Sequence, residues 1–145
     1  MNQAPLSRAI ELSRIGMEKG EGGPFGAVIV RDGEIIAEGN NQVLATNDPT
    51  NHAEVVAIRR ATEKLGRFDL SDCELYTSCE PCPMCLGAIY WARPKKVYYA
   101  NTKHDAAKIE FDDSFIYDEL EKDITERSIP FEHVRSGEAL EVFTA

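Results

Sequence analysis

The sequence predicts an α/β fold in which helices pack in layers against a sheet, because strand-like and helix-like segments alternate along the chain. The clearest strand signal is the apolar run 26–30. It is followed by Asp32 and Gly33, a dipeptide typical of tight hairpin turns, and by a second strand-like segment, 34–38. The helix signals are apolar residues at helical spacing in segments that stop at glycine or proline.

The remaining elements follow in order along the chain. The first helix is expected over 5–20, with Leu6, Ile10 and Met17 near one face. Segment 40–49 is polar and is expected to form a loop. The other predicted helices begin near residues 52, 82 and 113 and end near residues 65, 93 and 121. Further strands are predicted over 73–77, 96–100 and 131–134.

Composition and charge restrict the classes of function. The chain has 145 residues, of which 43% are hydrophobic and 28% are charged, as in an ordinary globular protein. We expect a single domain over 1–145 with no membrane span, because no apolar run approaches about 18 residues. Residues 1–5 lack the basic and apolar parts of a signal peptide, so we expect a cytoplasmic protein. The net charge of −9 argues against a nucleic-acid partner, which requires a basic surface.

His52, Cys82 and Cys85 form the most informative pattern in the chain. One imidazole and two thiolates supply three zinc ligands and leave the fourth tetrahedral position open, as in catalytic rather than structural zinc sites. Glu54 lies two residues beyond the histidine and supplies a carboxylate that need not bind the metal. A histidine, a nearby glutamate and a downstream Pro-Cys-x-x-Cys are typical of zinc deaminases that act on nucleobases.

The spacing of these residues also fits the local chemistry of such a site. Both ligand groups lie where a predicted helix begins, and the free N–H groups there lower the pKa of nearby thiols. Cys82 and Cys85 are three residues apart and face the same side of one helical turn. Zinc with an open position lowers the pKa of bound water towards about 7. We therefore expect Glu54 to accept a proton from water and to pass it to the substrate.

The cysteines also allow other interpretations. A Cys-x-x-Cys pair in a cytosolic protein is sometimes a redox centre. An iron–sulfur run is contradicted by Ile89, which stands where the fourth cysteine would be. A structural zinc site with Cys79 as fourth ligand stays open, although Glu80 and Pro81 make this arrangement awkward. Cys73 lies within a strand pattern and is expected to be a small buried apolar residue.

Four segments of the sequence together resemble a known family. They are 22–30, 47–54, 77–91 and 111–115. Over nearly its whole length the chain resembles the cytidine deaminase-like superfamily and, within it, the bacterial guanine deaminases. The first three segments are similar to those of tRNA adenosine deaminases too, whereas Phe-Asp-Asp-Ser-Phe at 111–115, together with Thr-Ser-Cys at 77–79, is more typical of guanine deaminases.

The resemblance implies a three-layer α/β/α sandwich around a mixed five-stranded sheet, a zinc cofactor and a homodimer. In that family the positions matching His52, Cys82 and Cys85 hold zinc, and the position matching Glu54 moves protons. Four further positions would contact a purine base. They are Asn41 by a hydrogen bond, Ala53 by its backbone on the purine oxygen, Phe25 by stacking and Asp113 as an acceptor for N–H groups.

Taken alone, the substrate positions have ordinary interpretations. Asp113 is typical of a helix N-cap, Asn41 of a loop and Phe25 of a core. An acidic group nevertheless complements guanine, whose amine and adjacent ring N–H both donate hydrogen bonds. The reaction implied is the conversion of guanine to xanthine and ammonia. Guanosine, cytosine and tRNA adenosine are alternative substrates, and a noncatalytic zinc-binding interaction module is the alternative from another class.

The sequence departs from the family pattern at three places. Asn51 stands where alanine is usual before the zinc histidine, and Glu110 stands where glycine is expected before Phe111. Relatives also continue past the position of Ala145 with an aromatic-containing tail that covers the active site of the partner subunit. Either that tail is absent here or the sequence is incomplete.

Overall fold

The computed structural model of the chain describes residues 3–145. Met1 and Asn2 lie outside the described residues, so the expectation about a signal peptide over 1–5 falls partly on them. The chain divides into two compact units, of which the first ends at Asp113 and the second is Ser114–Ala145. Among the described residues, no helix combines the length and the hydropathy needed to cross a membrane.

A mixed four-stranded sheet forms the centre of the first unit. Its strands are β1 (Gly26–Arg31), β2 (Glu34–Asn40), β3 (Cys73–Cys79) and β4 (Lys96–Asn101). They lie in the order β2-β1-β3-β4, with β1 antiparallel to both of its neighbours and β3 parallel to β4. The mixed sheet is as predicted, but within residues 3–145 it has four strands rather than five. The strand predicted over 131–134 is wrong, because a strand needs a hydrogen-bonded neighbour and not only an apolar pattern.

The helices of the first unit are α1 (Gln3–Glu18), α2 (Val43–Thr46), α3 (Ala53–Leu65), α4 (Pro83–Ala92) and α5 (Lys103–Lys108). The second unit contains α6 (Ser114–Glu121), a 3₁₀ turn (Ile124–Glu126) and α7 (Gly137–Thr144). Helices α1, α3, α4 and α6 confirm the four sequence predictions. The short helix α2 interrupts the segment predicted as a loop, since four residues are too few to show helical periodicity.

Helices cover both faces of the sheet and so form the predicted three-layer sandwich. Alternate residues of a strand point to opposite faces. Ala27 and Ile29 of β1 therefore join the core beneath α3 and α4, while Val28 and Val30 join the core beneath α1. The two separate cores explain why all four of these residues are buried.

Helix α1 packs on the sheet mainly through small residues, which differs from the sequence prediction. Ile10 is 41% exposed and Met17 is 48% exposed, whereas Ala9 and Gly16 are buried. Leu6 does pack against the core, as predicted. Small side chains let the helix axis approach the strands closely. The helix therefore contacts the sheet through these small residues rather than through the larger apolar ones.

One edge of the sheet collects the segments that carry the predicted functional residues. Strands β2, β3 and β4 run in the same direction, so their carboxyl ends lie at the same edge as the amino end of β1. Asn41 directly follows β2, Cys82 follows β3 by three residues, and Phe25 directly precedes β1. Sites at the carboxyl ends of sheet strands are typical of open α/β folds.

Candidate metal centre and active site

Three side chains at this edge form a group that could hold a metal ion. The ligand atoms of His52, Cys82 and Cys85 all lie within 4.8 Å of one another. His52 Nδ1 is 3.4 Å from Cys82 Sγ and 3.5 Å from Cys85 Sγ. Zn–N and Zn–S bonds at a tetrahedral angle separate nitrogen from sulfur by about 3.6 Å. The donor set and its spacing therefore fit zinc, with Nδ1 as the ring nitrogen that faces the sulfurs.

Two helix starts place these ligands. His52 is the N-cap residue of α3, and Cys82 is the N-cap residue of α4. Cys85 lies in the first turn of α4, and its backbone N–H donates a hydrogen bond to Cys82 Sγ at 3.5 Å. Pro83 occupies the first turn, where a missing N–H costs no helical hydrogen bond. The positive ends of both helices thus point towards the thiols.

The electrostatics of the group favour a thiolate at Cys82. A hydrogen bond from the Cys85 thiol, and a second from the His52 ring, lower the pKa of Cys82. The same bond to Cys82 raises the pKa of His52. A thiolate, an imidazole and a second thiol placed side by side can bind a soft metal cation once the cation displaces their protons.

Glu54 lies beside this group as a buried carboxyl. It occupies the first turn of α3 and is only 6% exposed. Burial raises the pKa of Glu54 to about 7, and the charge of Cys82 adds to that rise while the charge of His52 opposes it. A carboxyl with a pKa near neutral pH is suited to accept and to donate a proton.

Cys79 does not join the ligand group within residues 3–145. Its thiol donates a hydrogen bond to the backbone carbonyl of Thr102 at 3.7 Å, and burial raises the pKa of Cys79 to about 11. The four-ligand structural site left open by the sequence is therefore not assembled here. Cys73 is fully buried in the core, as predicted.

Asn41 is held at the same edge by its own backbone and side chain. Its N–H donates to the carbonyl of Phe25 at 3.1 Å, and its side-chain oxygen accepts from the N–H of Val43 at 3.0 Å. The oxygen is thus engaged, and the side-chain NH₂ donates to no acceptor among the described residues. A Cβ at Gly22 would clash with Asn41, so glycine allows the preceding loop to pass beside it.

The remaining predicted positions also lie near this edge. Ala53 is the first residue of α3, so its N–H has no acceptor within the helix. Phe25 meets Phe111 edge-to-face, with ring centroids 4.9 Å apart. Burial raises the pKa of Asp113, and the negative charge of Cys82 adds to the rise. Asp113 therefore lies within electrostatic reach of the metal-ligand group.

Three residues that sequence reasoning missed help to build the site. Ser78 is buried, and its hydroxyl accepts a hydrogen bond from the N–H of Gly26 at 3.0 Å. Phe111 supports the ring of Phe25. Gly39 lets α3 lie directly on β2, since a Cβ there would come within 2.5 Å of the carbonyl of Ala53. Ser78 and Phe111 lie in segments that carry the family resemblance, whereas Gly39 gave no sequence signal.

Comparison with known proteins identifies the family. The family model described as the cytidine and deoxycytidylate deaminase zinc-binding region matches residues 1–101, which include every metal-ligand candidate. The chain belongs to this deaminase family. Zinc is its cofactor, and the three-residue group described above is positioned to hold the ion.

Within the family, the chain is highly similar to a guanine deaminase in both sequence and structure. The chain is 62% identical to guanine deaminase of Bacillus subtilis (strain 168) over 140 residues, which is 97% of this chain and 90% of that protein. A crystal structure of B. subtilis guanine deaminase superposes with a TM-score of 0.97 at 61% identity, covering 99% of this chain and 92% of the other.

Two further proteins are less similar to this chain. A tRNA-specific adenosine deaminase of Aquifex aeolicus (strain VF5) is 43% identical over 95 residues, covering 66% of this chain and 62% of that protein. A protein whose crystal structure was determined in complex with 2,6-diaminopurine is 36% identical to this chain. The two structures superpose with a TM-score of 0.73, covering 77% of this chain and 62% of the other.

Proposed function

We propose that the protein is a zinc-dependent guanine deaminase, which converts guanine and water to xanthine and ammonia. The observation that carries the proposal is a buried glutamate beside a three-ligand His-Cys-Cys group. The similarity to B. subtilis guanine deaminase over 97% of the chain supports guanine as the substrate. A relative bound to 2,6-diaminopurine supports the broader assignment to a purine base.

We infer that His52, Cys82 and Cys85 hold the zinc ion, which would supply Lewis-acid activation of the attacking water. Glu54 takes a proton from this water and delivers it to a ring nitrogen of the base. The water oxygen bonds to C2 of guanine, and Glu54 then takes the remaining proton from that oxygen and delivers it to the amine. The bond between C2 and the amine nitrogen breaks, ammonia leaves, and the oxygen remains as the C2 carbonyl of xanthine. The burial of Glu54 supports this double role, because a desolvated carboxyl holds a proton near neutral pH.

Four further residues would orient the base in this proposal. The side-chain NH₂ of Asn41 donates to an acceptor of the purine, and the N–H of Ala53 donates to its oxygen. The ring of Phe25 stacks on the base. Asp113 accepts from the ring N–H and the amine, which guanine presents side by side. An acceptor that a bound base covers but leaves unpaired disfavours analogues that lack these donors, so Asp113 would provide selectivity.

Competing functions have weaker support. The similarity to tRNA-specific adenosine deaminase of A. aeolicus covers only 66% of the chain, and a net charge of −9 does not favour a polyanionic substrate. A noncatalytic zinc module has no use for a buried carboxyl beside a three-ligand group. Guanosine is the strongest competitor, and the substrate assay includes it for that reason.

We also propose that the chain acts as one deaminase domain and assembles as a homodimer in the cytoplasm. Helix α4 leaves large apolar side chains exposed, with Tyr90 at 74% and Trp91 at 79%. Exposed patches of this kind mark association surfaces. Cysteine ligands must be reduced to bind zinc, which suits the cytoplasm. Sedimentation velocity tests the dimer, and a monomer at micromolar concentration contradicts it.

The assay that tests the function measures ammonia release from guanine, guanosine, adenine, cytosine, cytidine and tRNA, with zinc content determined on the same sample. Guanine is expected to give the highest kcat/KM, and metal removal by a chelator is expected to abolish turnover. Asp113→Ala should weaken discrimination for guanine by about 2–5 kcal/mol, the cost of removing one partner from a polar pair that the bound base would bury. An equal loss for every base would make Asp113 structural.

A further inference from the structure

Asn51 is a buried polar residue that directly precedes the zinc-ligand candidate His52. All of its polar groups are engaged. Its N–H donates to the carbonyl of Asp48 at 3.1 Å, and its carbonyl accepts from the N–H of Gln42 at 3.0 Å. Its side-chain NH₂ donates to the hydroxyl of Thr46 at 2.9 Å, and its side-chain oxygen accepts from Arg59 at 2.8 Å. An alanine at this position would keep the two backbone bonds and lose the two side-chain bonds.

The side-chain bonds of Asn51 join two helices. Thr46 is the last residue of α2, and Arg59 lies in the middle of α3. Helix α3 carries Glu54 in its first turn and has His52 as its N-cap. The amide of Asn51 therefore fastens α2 to the helix that bears the catalytic carboxyl.

Helix α2 is in turn attached to Asn41. The N–H of Val43, the first residue of α2, donates to the side-chain oxygen of Asn41 at 3.0 Å. This bond fixes the rotation of the amide and directs its NH₂ group away from α2. Within α2 the hydroxyl of Thr46 also donates to the carbonyl of Gln42 at 2.8 Å. The Gln42 carbonyl and the Val43 N–H belong to one peptide group. Hydrogen bonds therefore link Arg59 to Asn51, Asn51 to Thr46, and Thr46 through that peptide group to Asn41.

We propose that Asn51 is a positioning residue that fixes α2, and through it the base-binding amide of Asn41, relative to the start of α3. This proposal rests on the proposed function, because it assigns to Asn41 a contact with the base. Its effect is on affinity for the base rather than on metal binding. The metal ligands are held by the N-cap geometry of α3 and α4, which does not involve the Asn51 side chain.

The experiment compares Asn51→Ala and Thr46→Val with the wild-type protein. Both variants are expected to raise KM for guanine by about 3- to 10-fold, the range typical of a residue that acts through a hydrogen-bond network. Zinc content and kcat should stay close to wild type. Amides of 42–48 should exchange with solvent about 3- to 10-fold faster, because the side-chain bond from Asn51 to α2 is lost, while those of 53–65 keep their protection.

Two controls separate positioning from general destabilisation. Thr62→Val removes a helical hydroxyl that, like Thr46, donates to the carbonyl four residues earlier, in this case of Ile58 at 2.9 Å. It should leave KM unchanged. Thr46→Ser keeps the hydroxyl and should restore the wild-type KM. The double variant Asn51→Ala with Thr46→Val should raise KM by less than the product of the two single effects, since the bond between Asn51 and Thr46 is lost in both single variants.

Specific results would overturn the proposal. A positioning role is contradicted if Asn51→Ala leaves both the KM for guanine and the amide exchange rates of 42–48 unchanged. It is also contradicted if the substitution lowers kcat, zinc content and thermal stability to the same extent. If Asn51→Ala does not fold, the Thr46→Val and Thr46→Ser pair decides between the same outcomes. A wild-type protein that does not deaminate guanine contradicts the proposed function instead, while the exchange of 42–48 still tests the link between α2 and α3.

Discussion

Replacing Gly39 with alanine is expected to damage both the stability and the chemistry of the protein. A Cβ at this position would lie 2.5 Å from the carbonyl oxygen of Ala53 and 2.7 Å from the backbone nitrogen of Ala57. Relief of these contacts requires α3 to move away from β2 by roughly 0.5–1 Å, because carbon and its neighbours pack at about 3.5 Å. Overpacking of this kind destabilises a protein by about 1–3 kcal/mol.

The same movement displaces His52 and Glu54, which lie at the start of α3. A misplacement of about 1 Å at a reacting group lowers turnover by up to about 10²-fold. Urea denaturation and ammonia release, with zinc content measured on the same samples, test both effects. Gly137→Ala is the matched control, since a Cβ there meets no atom within 4 Å. A Gly39→Ala variant with wild-type stability and turnover would refute the idea that this glycine sets the distance between α3 and the sheet.

Three further outcomes are expected. Glu54→Gln should keep about one zinc per chain and lower kcat by about 10²–10⁴-fold, and wild-type ammonia release would remove Glu54 from the mechanism. Glu110 has a left-handed φ of 70°, so Glu110→Gly should raise Tm by roughly 1–3 °C, whereas Glu110→Ala, which keeps a Cβ, should not. A hydrogen bond from Arg8 lowers the pKa of Glu38 in the folded protein. The ion pair therefore stabilises the folded state fully at pH values above the ordinary carboxyl pKa. This stabilisation is lost as the pH falls through the lowered pKa of Glu38. Arg8→Met should thus lose about 0.5 kcal/mol of unfolding free energy at pH 7, and the difference should shrink below about pH 4; a pH-independent difference in urea denaturation contradicts this.

The structural setting of Glu110 connects a sequence departure to a physical consequence. The family resemblance led us to expect glycine there, and the backbone of this chain has the left-handed conformation that glycine adopts without strain. The departure therefore does not abolish the turn that leads to Phe111 and Asp113. Its cost is local backbone strain of about 1–2 kcal/mol.

The metal-ligand candidates were predictable because their chemistry lies in short sequence motifs. His52 and Glu54 are two residues apart, and Cys82 and Cys85 are three apart, so each pair is placed by one helix start. The substrate positions were reached only by family resemblance. A loop asparagine, a core phenylalanine and a helix-capping aspartate carry no local signal that separates them from ordinary structural residues.

Two errors of sequence reasoning share one cause. The stripe on α1 was assigned to Ile10 and Met17, and a fifth strand was assigned to 131–134, because both assignments used local apolar patterns. Which apolar residues become buried depends on how closely a partner element approaches, and a strand exists only beside another strand. Neither condition is written in a local pattern.

By itself, the amino-acid sequence determined the order of most helices and strands, the donor set for zinc and the carboxylate that accompanies it, since those depend on residues close together along the chain. Only the tertiary structure decided that Cys79 lies outside the ligand group and that Gly39 allows α3 to pack closely on the sheet. It also decided that Asn51 links α2 to α3. These features join residues that are distant in sequence or depend on sub-ångström approach of packed backbones, and local periodicity contains neither kind of information.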